Sequence, residues 1–193
     1  MIKEGCIKSL KKSIMIDKDK LKQSVSLFLE AIGEDINREG LLETPDRVVR
    51  MWEEFESNKE VDVKVFKNPN YDEMVCKVGI EFFSFCEHHL LPFYGTVDIA
   101  YIPDAKIVGI SKLARVVRKY ASRLNIQEKM TNDIADFLSQ ELSPQGVMVI
   151  VKARHLCEMM RGIKNGGDMI TSAVRGVFKE KDNAAKAEFL NIR

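Results

Sequence analysis

Apolar side chains recur at helical spacing from Asp17 onward. Leu21, Val25, Phe28, Leu29 and Ile32 form one stripe, and Gly33 supplies a permissive backbone where the stripe stops. At Glu43-Thr44-Pro45-Asp46-Arg47 a second helix is expected to begin, with the Thr44 hydroxyl as cap and Pro45 where an N–H would lack a partner, and to run to about Phe55. Glu56–Asp72 is polar and reads as a connector. The period then changes. Met74–Phe85 and Tyr94–Ile102 are rich in Val, Ile, Phe and Tyr and read as strands, bounded by Pro92 and Pro103-Asp104. Ser111–Arg123 and Gln127–Leu142 return to helical spacing, Val147–Ala153 and Ile170–Phe178 have strand length, and Asn183–Leu190 suits a short closing helix. Helices, strands, helices, strands is the order of an α+β fold with an antiparallel sheet. Residues 1–70 read as a helical arm and 71–193 as the sheet domain.

Composition narrows the class. With 193 residues, 45% of them hydrophobic and 31% charged, the chain can bury one core, which excludes disorder and repeat arrays. The 30 Lys+Arg against 29 Asp+Glu leave +1, so no global field draws nucleic acid or an acidic membrane, and any anion site must be local. The lysine-rich amino terminus has no long apolar run, so neither a signal peptide nor a membrane span is expected and the default location is the cytoplasm. Four cysteines are too few for a disulfide scaffold; Cys6 and Cys76 read as bland.

The chemistry gathers around the other two cysteines. All three histidines, His88, His89 and His155, lie within three positions of Cys86 or Cys157. Cys86-Glu87-His88-His89 sets a thiol and an imidazole three residues apart, a spacing at which a turn can aim both at one ion. If the strand from Val147 continues through His155-Leu156-Cys157, those two residues project from one face into a common pocket. Thiol and imidazole together favour zinc over magnesium or calcium. A metal is favoured over core packing, while a closed structural zinc with four protein ligands stays open. Near these segments, Ser111, Lys112 and Arg115 open a helix with a hydroxyl and two cations, a ready phosphate site; Arg118 and Lys119 read as a solvated face. Arg161 adds a cation four residues beyond Cys157.

Glu43-Thr44-Pro45-Asp46-Arg47, Cys86-Glu87-His88-His89, Gly109–Arg115, Gln127-Glu128, His155-Leu156-Cys157 with Arg161-Gly162, and Thr171-Ser172-Ala173 resemble the motifs of the GTP cyclohydrolase I family, in its order, over nearly the whole chain. The resemblance implies the tunnelling fold, a four-stranded antiparallel sheet with two helices on one face, assembled as a homodecamer of two pentamers with sites at subunit interfaces. It implies zinc held by Cys86, His89 and Cys157, with a fourth position open to the water that attacks C8 of GTP. His155 would protonate N7, and C8 would leave as formate on the way to dihydroneopterin triphosphate, an early pterin and tetrahydrofolate precursor. His88 and Ser111 would assist the later ribose steps. Glu128, with Gln127 beside it, would read guanine, and Lys112, Arg115, Arg161 and Arg47 would hold the triphosphate. Glu158, after Cys157, departs from the expected smaller residue; on an extended strand it would face away from the metal. Rival readings are another tunnelling-fold enzyme, such as a nitrile reductase with a cysteine nucleophile or a three-histidine pterin synthase, and a structural-zinc domain binding nucleic acid. Two adjacent histidines make a three-histidine site awkward, and the near-neutral pI of about 7.6 counts against nucleic acid.

Overall fold

The computed structural model describes residues 16–57, 63–181 and 183–193. Cys6 and most of the lysine-rich terminus lie outside the described residues. Tertiary contacts divide the chain into two compact units, the first ending at Glu54 and the second spanning Phe55–Arg193. In the first, α1 (Lys18–Ala31) opens on Asp17, whose Oδ1 accepts from the Lys20 N–H at 3.1 Å, and ends ahead of Gly33 at φ +85°. Helix α2 (Thr44–Ser57) begins one residue earlier than the Thr-Pro pair suggests. The Glu43 carbonyl already accepts from the Arg47 N–H at 2.9 Å, and the Thr44 hydroxyl donates back to the Gly40 carbonyl instead of capping. Pro45 still occupies the first turn, where a missing N–H loses no helical bond.

In the second unit the elements run β1 (Val65–Lys67), β2 (Val75–Cys86), β3 (Pro92–Ile102), β4 (Lys106–Val108), α3 (Ile110–Ala121), β5 (Leu124–Asn125), α4 (Gln127–Leu142), β6 (Gly146–His155), the single turn α5 (Leu156–Met159), β7 (Met169–Gly176), a 3-10 turn at Val177–Lys179, and α6 (Ala184–Ile192). The main sheet has the order β5-β2-β3-β6-β7. Its four long strands are antiparallel, as the α+β reading requires, and two-residue β5 adds a parallel rung through Phe85↔Leu124 and Cys86↔Asn125. β1, inside the stretch read as connector, pairs with β4 in a separate ribbon. Its three residues are too short for alternation to stand out from a polar loop.

Period-two alternation sorts the sheet into two faces. Ile80, Phe82 and Cys86 of β2, Phe93, Val97 and Ile99 of β3, and Val147, Val149, Val151 and Ala153 of β6 pack with Leu113, Val116 and Val117 of α3 and Met130, Ile134 and Leu138 of α4. The intervening residues Ala100, Met148 and Ile150 meet Phe178 and Phe189, so α6 covers part of the opposite face. Strands β3 and β6 approach so closely at Gly95 that a Cβ there would lie 1.9 Å from the Lys152 carbonyl oxygen. Two strand ends depart from the sequence reading: β6 stops at His155, and the last strand stops at Gly176, where φ +60° turns the chain into the 3-10 segment. No helix among the described residues is long and apolar enough to cross a membrane.

Candidate metal centre and active site

The end of β2 buries Cys86, and the chain then turns tightly. The Leu90 N–H returns to the Cys86 carbonyl at 2.9 Å, and the Cys86 N–H donates to the Leu91 carbonyl at 2.9 Å. This turn carries the His89 Nδ1 to 4.0 Å and the His88 Nδ1 to 3.7 Å from the Cys86 Sγ. A buried clasp fixes its base: Asn125 Nδ2 donates to the Ser84 Oγ and the Tyr120 carbonyl, Ser84 Oγ donates to the Ala121 carbonyl, and the Glu87 N–H donates to the Asn125 carbonyl.

Cys157 arrives from α5, a helical turn and not the continued strand anticipated from the sequence. The chain bends immediately after His155, so the i,i+2 argument for a shared face fails. The convergence survives by another route, because the ligand atoms of Cys86, His89 and Cys157 all lie within 4.8 Å of one another. A tetrahedral site with metal–sulfur and metal–nitrogen bonds of about 2.0–2.3 Å has edges of roughly 3.5–3.8 Å, which these atoms reach with a small contraction. Burial, and then the neighbouring Cys86 thiol, push the Cys157 thiol up. A divalent ion would offset the second negative charge and favour both thiolates. Two sulfurs and one imidazole suit a thiophilic metal, and three protein donors are one fewer than structural zinc normally takes. His88 and His155 are not members of this group.

His155 ends β6 with its ring stacked on buried Phe93, centroids 4.5 Å apart and planes inclined by 5°. Its Nε2 lies 2.8 Å from the Gln127 Oε1. Burial lowers its pKa, while the carboxylates of Glu128 and Glu158 act in the opposite direction. Glu158 rides on α5 and not on an extended strand, and its Oε1 accepts from the Asn165 Nδ2 at 3.2 Å. Gln127, read by resemblance as lying beside guanine, is 1% exposed. Its Nε2 donates among the Val151 and Met169 carbonyls and the Thr171 hydroxyl, and its Oε1 faces His155.

Glu128 is exposed in the first turn of α4, adjacent in sequence to that buried glutamine. Ser111 and Lys112 lie in the first turn of α3, which has no acidic residue, and Arg115 follows one turn on. Lys112, Arg115 and Arg161 form no ion pair among the described residues. Lys119, read as part of a solvated face, instead lies over the Phe137 ring at 4.7 Å. Arg47, in the other unit, is paired with Glu43 at 2.9 Å. Sequence reasoning missed Phe93 and Thr131 and gave Thr171 no role. Thr131 stands four residues after Gln127 on the same helical face, which was the available signal.

The profile of the family described as GTP cyclohydrolase I matches residues 21–193. The chain is 57% identical over 179 residues to GTP cyclohydrolase 1 of Aquifex aeolicus, covering 92% of this chain and 97% of that protein. It is 50% identical over 181 residues to GTP cyclohydrolase 1 of a Sulfurihydrogenibium species, covering 93% and 96%. Among solved structures, the apo archaeosine synthase QueF-Like aligns with a TM-score of 0.42 at 20% identity, over 55% of this chain and 96% of that one. With a family profile spanning almost the whole chain and relatives at half identity or more end to end, the chain belongs to the GTP cyclohydrolase I family.

Proposed function

We propose that this chain hydrolyses the guanine imidazole ring of GTP, releasing formate and yielding 7,8-dihydroneopterin triphosphate, with zinc as its metal. The observation that carries this reading is the convergence of Cys86, His89 and Cys157 within 4.8 Å beside a histidine already held by a buried glutamine. Zinc held there would supply Lewis acidity that makes water nucleophilic at neutral pH.

The chain's own residues do the rest. His155, its ring plane set by Phe93, gives a proton to N7 as C8 becomes tetrahedral, a task suited to imidazole, the side chain whose ordinary pKa lies nearest neutral pH. Glu128 accepts from guanine N1–H and the exocyclic amine, a donor pair that adenine lacks. A carboxylate facing an unpaired acceptor loses far more than one hydrogen bond, which is why such a contact discriminates strongly. Lys112, Arg115 and Arg161, free of ion pairs among the described residues, are available for the triphosphate beside the amino-terminal end of α3. His88 and Ser111 serve the later opening and rearrangement of the ribose, and Arg47 joins the phosphate set from a neighbouring copy in a decamer of two pentamers. Exposed Phe83 and Ile170, on the sheet face turned away from α3 and α4, give that assembly apolar surface to cover.

The test is to incubate zinc-loaded protein with GTP and measure formate together with a fluorescent pterin after oxidation. Both products in equal amount are expected. Absence of both would overturn the reading.

A further inference from the structure

The hydrogen bonds behind His155 run in one direction only. Thr131 Oγ1 lies 2.7 Å from the Gln127 backbone carbonyl, which can only accept, so the Thr131 hydrogen is committed there. The 2.7 Å bond between the Thr131 and Thr171 hydroxyls must then be donated by Thr171, whose oxygen is left to accept from the Gln127 Nε2 at 3.1 Å. That nitrogen also faces the Val151 and Met169 carbonyls at 3.2 and 3.1 Å, and a flipped amide would set oxygen against oxygen at both. Gln127 therefore turns Oε1 to His155, and only a ring N–H can satisfy it.

We propose that Thr131, Thr171 and Gln127 are positioning residues that commit the resident proton of His155 to Nε2 and leave Nδ1 as the nitrogen that exchanges a proton with substrate. Gln127 is thereby a support of the acid–base group and not a guanine contact. The inference rests on the acid–base role of His155 given above, but the tautomer itself can be read without turnover. A comparable partner behind a functional imidazole fixes tautomer and ring orientation, and its removal typically costs about 10–100-fold in activity.

The test uses zinc-loaded, full-length protein labelled with 15N-histidine. The chain has three histidines, so subtracting the spectrum of His155→Ala assigns the ring signals of His155. In the neutral form the wild type should carry its proton on Nε2, and Gln127→Met should lose that preference. A proton on Nδ1 in the wild type, or an unchanged spectrum in Gln127→Met, would overturn the proposal. In kinetics, Gln127→Met should lower kcat for formate release by about 10–100-fold with KM for GTP unchanged. Thr171→Val should lower it less, and Thr171→Ser should restore it. A raised KM with unchanged kcat in Gln127→Met would make this residue a substrate contact and overturn the inference. Wild-type formate release by His155→Ala would reject the acid–base reading separately, whatever the tautomer. If Gln127→Met fails to fold, the wild-type spectrum and the Thr171 pair still decide.

Discussion

At the scale of single residues, the proposed function divides side chains that would hold the metal from one that would move a proton. Cys157→Ser removes a sulfur from a group of three donors, and should lose zinc and turnover together. His155→Ala touches none of the three, and should keep its zinc while losing about 10²–10⁴-fold in formate release. Metal analysis showing zinc lost from His155→Ala would make that residue a ligand and reassign the site. Glu128→Gln should keep zinc but narrow the preference for GTP over ATP, read from the ratio of kcat/KM values; an unchanged ratio would reject its guanine role. Cys157 and His155 were legible because cysteine and histidine are rare in this chain and cluster in sequence, whereas Glu128 came only with the family resemblance. The hydrogen bonding of Gln127 was not legible. Its partners come from β6, β7 and one turn further along α4, and only the tertiary register of Val151 with Thr171 brings them together.

At the scale of elements, helices and long strands were readable from periodicity, whereas their ends were decided by local geometry. The bend after His155 is the instructive case: the apolar run of β6 gives no warning that Leu156–Met159 coils, yet the coil delivers Cys157 to Cys86 and His89. The short pieces β1 and β5 escaped notice because two or three residues carry no period, and their pairing is set by distant partners. Two predictions belong here. Gly95→Ala forces a methyl onto the Lys152 carbonyl oxygen and should destabilise by at least about 1–3 kcal/mol in denaturant unfolding; wild-type stability would contradict the close approach of β3 and β6. Arg175 ties β7 to α4 through Asp136 at 2.6 Å, and this hydrogen bond, outweighing the opposing effect of burial, holds the Asp136 carboxyl below its usual range. A lowered carboxyl pKa stabilises above the unfolded value near ~3.9 and loses that contribution as pH falls through the folded value. Asp136→Asn should therefore be slightly less stable than wild type at neutral pH, by about 0–1 kcal/mol for so exposed a pair, and the gap should close in acid once the carboxyl is protonated. An equal gap at neutral pH and in acid would show that the ion pair is not its source.

At the scale of the whole molecule, the second unit carries Cys86, His89 and Cys157, His155 with Gln127, and the helix that bears Lys112 and Arg115. The near-neutral net charge leaves anion attraction to local groups of cations, such as those on α3. Sequence alone supplied the architecture of this unit in outline, since alternating strands and two amphipathic helices leave few ways to enclose one core. It gave no account of α6 on the opposite sheet face, because Phe178 and Phe189 mark burial without saying against what. The account as a whole depends on three side chains from separate stretches gripping one ion while solvent completes the set. Zinc-edge X-ray absorption on the purified, metal-loaded protein measures that directly. Two sulfur neighbours, one imidazole nitrogen and one further light atom are expected, and Cys157→Ser should retain no zinc to give a spectrum. A second imidazole in the first coordination sphere, or no sulfur at all, would contradict it.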